Sequence, residues 1–230
     1  PDYAYVSSVS SSWLAHARAY AGHAIARLGL GPRSCVVEIA SNDGYLLQYF
    51  AAAGIPCLGV EPTAGTAEAA RARGIETVVE FFGDALARRL REERGAADLV
   101  VANNVLAHVP DLNDFVAGIA ALLAPGGVLT VEFPHLMQLV AQRQFDTVYH
   151  EHFSYLSLTT VKEIFESAEL RIHDVETLDT HGGSLRVFGS HANDLRPCSA
   201  EVESMLKLEL SHGLLQLNSY AAFQARAERI

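Results

Sequence analysis

The run "DTVYHEHFSY", Asp146 to Tyr155, sets Tyr149, His150, Glu151, His152 and Tyr155 within one short stretch. Such a concentration of titratable and hydrogen-bonding groups has three explanations. A metal site would use His150 and His152 as ligands. In an extended segment those two side chains share one side, while Tyr149 and Glu151 share the other. No HExxH helix and no third ligand at the usual spacing accompanies them, so no metal is expected. A structural cluster is the second explanation, because Tyr and His often satisfy one another in loops. The third is an acid–base centre. Histidine ordinarily titrates nearest neutral pH, and tyrosine hydroxyls can donate to an oxygen on which charge develops.

Reactive side chains need a scaffold, and polar residues at three apolar runs show where it opens. In "VVEIASNDGYLL", Glu38 lies within a strand pattern, and Ala40, Ser41, Asn42 and Gly44 belong to a small-residue turn entering a helix. Small residues let the backbone approach a ligand. In "LGVEP", Glu61 and Pro62 end the next strand pattern, where a carboxylate can accept both hydroxyls of an adenosine ribose. In "LVVANNVLAHVPDL", Asn103, Asn104, Val105 and His108 follow a third. A ribose-binding acid suits NAD and S-adenosylmethionine equally. NAD needs pyrophosphate-admitting glycines, as in GxGxxG, and this turn has only Gly44. S-adenosylmethionine carries no phosphate, so one compact loop suffices and it is the expected cofactor. The Pro-Gly-Gly turn of "LLAPGGVLTVEFP" agrees with that choice.

The periodicities supply the frame. Ser10 to Leu28 reads as a helix with Trp13, Ala17, Tyr20, Ala24 and Leu28 on one face. Strand and helix then alternate: 35–39, 45–53, 57–60, 66–73, 76–79, 84–93, 97–102, 111–123 and 127–133. That spacing predicts a parallel, doubly wound α/β sheet, with ligands beyond the carboxyl ends of its strands. Arg171–Leu178 and Ser184–Ser190, separated by "DTHGG", predict an antiparallel pair at the sheet edge. From Ser199 the pattern is helical to the end, with Val202, Leu206, Leu210, Leu214 and Leu217 near one face. This helix is expected to dock on the sheet only in part, or to pack against another copy.

At 230 residues and half apolar, the chain suits one α/β domain, or a domain with an appendage. A net charge of −10 without a basic run argues against nucleic acid and anionic membrane surfaces as partners. Cys35, Cys57 and Cys198 are too scattered for a disulfide framework or zinc site. Cys35 and Cys57, in apolar strand-like runs, read as buried thiols of a reducing compartment, the cytoplasm. No signal peptide or membrane-length apolar segment is present. The chain opens at Pro1 and closes inside a helical pattern, which suggests a piece of something longer.

"EIASNDGYLL", "GVEPT", "NNVLAHVPDLNDFV", "FDTVYHEHFSYLS" and "THGGSLRVF", in this order, resemble the sugar C-methyltransferases that act on nucleotide-linked keto-deoxysugars in antibiotic biosynthesis. The "YHEHFSY" and "HGGSLR" segments are the specific ones. The resemblance implies a Rossmann-like class I methyltransferase fold with a seven-strand sheet and added terminal helices. It divides the chain into a lid segment and helix (1–32), an S-adenosylmethionine domain (33–192) and a helical segment opening a further domain (193–230). The family's N-terminal zinc domain and most of its C-terminal domain are then missing, and no zinc is expected. The implied substrate is a dTDP-linked ketosugar, and the protein a monomer or homodimer. His152, the motif's second histidine, is the implied base that takes the proton beside the ketone. Tyr149 and Glu151 lie beside the substrate in this reading. Tyr3, in a leading segment that can fold over the sugar, helps steady the enolate. His181 is the alternative base, at a glycine turn that can approach the substrate. Competing readings are an O- or N-methyltransferase on a small natural product, and an inert methyltransferase-like module that binds a partner through its C-terminal helix.

Overall fold

The computed structural model describes residues 6–229; Tyr3 lies outside them. Two compact units form. The first runs up to Ala102 and takes in Ala117–Leu129; the second comprises Asn103–Val116 and the chain from Thr130.

In the first unit, α1 (Ser11–Leu28) starts where the Ser10 hydroxyl accepts a hydrogen bond from the Trp13 amide, and stops at Gly29 with φ 63°. It buries Ala17, Tyr20, Ala21 and Ala24, much the face expected from the spacing. The alternation follows as β1 (Val36–Ile39), α2 (Leu47–Ala52), β2 (Cys57–Val60), α3 (Ala64–Ala72), β3 (Thr77–Val78), α4 (Asp84–Arg94) and β4 (Ala97–Asn103). β1 pairs in parallel with β2, Glu38 opposite Gly59, and with β4, Glu38 opposite Val101. All four β1 side chains are buried, as befits a strand covered on both faces.

α5 (Leu112–Leu122) leads into β5 (Leu123–Pro134), which starts earlier than expected and includes Gly126 at φ 77°. The second unit adds α6 (Leu136–Gln142), α7 (Leu158–Ser167), β6 (Leu170–Leu178), β7 (Ser184–His191), α8 (Ala200–Ser211) and α9 (Phe223–Ala227). β6 and β7 are antiparallel, with Leu178 opposite Ser184 at the turn. The seven strands order as β3-β2-β1-β4-β5-β7-β6, the expected doubly wound sheet with its antiparallel edge.

Two expectations need correction. α6 and α7 were not anticipated. The single helix expected from Ser199 breaks after Ser211, because Gly213 takes φ 72°, a left-handed turn that glycine adopts without penalty. The apolar stripe is therefore not one face. Val202 and Met205 are buried, whereas Leu210 and Leu217 are exposed.

Candidate active site

In the first unit, the turn after β1 carries three residues in the left-handed region: Ala40 (φ 57°), Asn42 (φ 50°) and Gly44 (φ 76°). Its geometry is held from several directions. The Glu61 carboxylate, at the end of β2, accepts from the Asn42 amide at 3.0 Å and from the Thr63 amide at 2.9 Å. The Asn42 side-chain oxygen accepts from the Ser7 amide at 2.9 Å, tying the leading segment to the turn. Arg73 pairs with Asp43 at 2.5 Å. Gly59 on β2 has no room for a side chain, since a Cβ there would lie 2.4 Å from the Ser41 hydroxyl.

Ser41 Oγ and Asp43 Oδ1 are nevertheless buried without a hydrogen-bond partner, and a buried polar atom without one is costly. These are groups that a ligand would satisfy. Each Glu61 oxygen keeps a second lone pair for a hydroxyl. Glu38 is buried within β1, and Pro62 is half-buried beside Glu61. Burial, then the charges of Glu38 and Cys35, push the Cys57 thiol up to about 11, which makes it inert at neutral pH.

In the second unit the "YHEH" run is a turn rather than an extended segment. The His152 amide donates to the Tyr149 carbonyl at 3.1 Å. Tyr149 and His152, expected on opposite sides, are thereby brought together with ring centroids 4.1 Å apart. His108 lies 4.8 Å from His152 and Tyr155 lies 5.9 Å from it, both edge-on. Tyr155, though in the same run, received no role from the residues alone. The Phe153 amide donates to the Ala107 carbonyl at 2.8 Å, which holds the loop against the segment carrying His108.

Nδ1 of His152 lies 2.9 Å from the Thr147 carbonyl. A carbonyl only accepts, so Nδ1 carries the proton and Nε2 presents a basic lone pair. Burial chiefly, and the charge of His152 next, lower the titration of His108, with the Glu151 main chain and carboxylate partly opposing. The neutral form of His108 is thereby favoured. Burial, Glu151 and Tyr155 raise the Tyr149 phenol, which remains a donor at neutral pH. Glu151 and His150 are exposed. His181 sits at φ 52° in an exposed turn, which Gln144 ties back by donating to the Gly182 carbonyl at 2.9 Å.

Asn103 donates to Glu132 at 3.2 Å, and the Asn104 amide donates to the Glu132 carbonyl at 2.7 Å. Both polar atoms of the Asn104 side chain are buried without partners. Val105 is half-buried. Glu132 is itself buried and paired with Arg186 at 2.7 Å, and Arg186 reaches Glu176 at 2.9 Å. A glutamate amid the apolar "LTVEFP" was the available sign of this pair. Among the described residues, no three His, Cys, Asp or Glu side chains gather to hold a metal ion, and no helix is long and apolar enough to cross a membrane.

Comparison with known proteins adds independent findings. A family model described as a methyltransferase domain matches residues 13–175, and one described as a C-methyltransferase C-terminal domain matches 179–230. The C-methyltransferase NovU of Streptomyces niveus is 40% identical over 99% of this chain. The chain spans 54% of that relative's length. Among solved structures, the PH0226 protein from Pyrococcus horikoshii OT3 matches with a TM-score of 0.66 at 15% identity, over 81% of this chain and 94% of that one. Magnesium protoporphyrin IX methyltransferase from Synechocystis PCC 6803, solved with bound SAH, matches with a TM-score of 0.58 at 14% identity, over 76% and 82%. At such identities the two structures speak for the fold.

Proposed function

Since this chain belongs to the methyltransferase family, we propose that it transfers a methyl group from S-adenosylmethionine to the carbon beside the ketone of a dTDP-linked deoxysugar. The cofactor supplies an electrophilic methyl on a sulfonium and needs no phosphate cradle. Residues of the first unit fit it: Glu61 for the ribose hydroxyls, and the turn of Ala40, Ser41, Asn42 and Gly44, with its unsatisfied buried hydroxyl, for the methionine end.

The observation that carries the reading is the His152 tautomer. With Nδ1–H committed to the Thr147 carbonyl, Nε2 is the atom that takes the proton from the carbon acid, and the bond to Thr147 strengthens as the imidazolium forms. Tyr149, kept protonated, donates to the enolate oxygen. His108, held toward neutrality, does not compete as a cation beside the protonated base. Glu151 and His181 are assigned to the sugar side. A carbon rather than an oxygen as acceptor is supported by the matched C-terminal segment and by the name of the 40% identical relative. The ketosugar rests on the likeness of the "YHEHFSY" and "HGGSLR" motifs.

The test separates proton removal from methyl transfer. With dTDP-4-keto-6-deoxyglucose in deuterated water and S-adenosylhomocysteine bound, the chain is expected to exchange the proton beside the ketone, followed by NMR. Methyl transfer to a hydroxyl or amine without any such exchange would replace carbon methylation by the O- or N-methyl reading.

A further inference from the structure

The loop that carries Tyr149, Glu151, His152 and Tyr155 leaves the fold at the end of β5 and rejoins it at α7. Along it, Phe145, Val148, Tyr149 and Phe153 are all exposed, so burial does little to fix the register of the loop. Its internal ties are local, such as the Val148 amide to the Phe145 carbonyl at 3.0 Å. Besides the Phe153 bond to Ala107 and the Gln144 bond to Gly182, the loop is held where its two stems meet. His135 precedes α6, and Leu158 opens α7. The stems touch directly where the Leu136 amide donates to the Leu156 carbonyl at 2.9 Å.

One carboxylate joins both stems. Glu209, on α8, is 1% exposed. Its Oε1 lies 2.7 Å from His135 Nε2 on the outgoing stem and accepts from the Leu158 amide at 2.6 Å on the returning one. Its Oε2 accepts from the Thr159 amide at 2.9 Å and from the Thr159 hydroxyl at 2.6 Å. Ser157 Oγ takes the next α7 amide, that of Thr160, at 3.1 Å. The first-turn donors of α7 that a helix leaves open are thus satisfied chiefly by a residue distant in sequence.

The placement is unfavourable for α8 itself. A carboxylate in a helix's last turn opposes the helix dipole, whereas one at a helix N-terminus is favoured. Burial pushes the Glu209 carboxyl up, yet the bonds from His135, Thr159 and Leu158 outweigh it and hold the group below the usual carboxylate range. Glu209 is therefore ionised, and His135 Nε2 donates to it.

We propose that Glu209 is a positioning residue for proton abstraction: by joining the two stems it sets the register in which the loop presents His152. This rests on the acid–base reading of His152. It also gives the segment matched as a C-methyltransferase C-terminal domain, which contains Glu209, a direct hold on a loop within the methyltransferase match. A base displaced by about 1 Å can cost about a hundredfold in rate. Substrate and cofactor binding need not change with it.

The test is Glu209→Gln, which keeps the shape but turns an amide NH₂ toward groups that donate. Amide hydrogen exchange by mass spectrometry is expected to quicken about tenfold or more across 143–157, and much less in β1, β2, β6 and β7. Proton exchange on dTDP-4-keto-6-deoxyglucose should lose about tenfold or more in kcat, at unchanged KM and unchanged affinity for S-adenosylhomocysteine. An unaltered loop and kcat, or exchange quickened equally everywhere, overturns the proposal, the latter because it marks a merely structural role. Should Glu209→Gln fail to fold, Thr159→Val removes one bond only and should show the same loop-confined effect at smaller size. An unchanged loop in that variant also overturns it. If the wild-type chain exchanges no substrate proton, the acid–base reading falls and the catalytic role of Glu209 with it. Amide exchange then still decides whether Glu209 fastens the loop.

Discussion

Nδ1 of His152 faces the Thr147 carbonyl, and that one contact divides the roles of the ring's two nitrogens. His152→Asn is expected to slow removal of the ketone-flanking proton about 10²–10⁴-fold, measured by deuterium incorporation, while calorimetry with S-adenosylhomocysteine finds cofactor affinity intact. Tyr149→Phe should cost less, because one donor to the oxyanion is lost and the base survives. Glu61, proposed to hold the cofactor ribose, already accepts from two backbone amides. Glu61→Gln keeps one accepting oxygen and turns an NH₂ toward an amide N–H. Hydrogen bonds to a charged group contribute roughly 1.5–3 kcal/mol each, so S-adenosylhomocysteine should bind about tenfold more weakly or worse. Both candidates stand out in the sequence by type and company. The tautomer of His152 does not, because it is set by a turn joining residues five apart, which no strand or helix period reveals. Nor does the pairing of His108 with His152, which joins segments distant in the chain.

Among the elements, β5, β6 and β7 share a buried ion pair network that the apolar pattern of each strand conceals. Arg186 stays charged because Glu132 and Glu176 outweigh the burial that works against it. Arg186→Met would leave the Glu132 carboxylate buried without its guanidinium. The expected cost is about 3–5 kcal/mol, read from urea denaturation midpoints. The double variant with Glu132→Gln should recover part of that loss. The parallel half of the sheet was legible to within a residue or two because fully buried strands and amphipathic helices carry strong periods. α7 had its signal too: Ser157 as cap, with Leu158, Val161 and Phe165 on its buried side. The reactive residues of the preceding run mask that signal. The apolar spacing overstates α8, because Leu214 and Leu217 continue it past the turn at Gly213 where the helix has ended.

For the whole molecule, acid should act in two stages. The titration of His108 is depressed in the fold, so the stability it contributes is complete above the unfolded value of roughly 6.5 and is lost as pH falls through the folded value. Glu209 is likewise depressed, and its contribution is complete above roughly 4.3 and lost below that. Urea midpoints followed against pH should fall in both windows. His108→Gln should flatten the upper decline and Glu209→Gln the lower one. The meeting of the loop's stems at a single carboxylate also bears on how such a protein can change its substrate. If Glu209 fastens the stems as proposed, residues 143–157 should behave as an exchangeable piece whose sockets, at His135, at Leu158 with Thr159, and at Ala107 and Gly182, lie outside it. A chimera that takes this stretch from a relative with a different acceptor, and keeps His135, Thr159 and Glu209, should melt near the parent temperature while its choice of ketone changes. New acceptors would then arise by replacing one short surface excursion, with the residues proposed to hold the cofactor inherited unaltered.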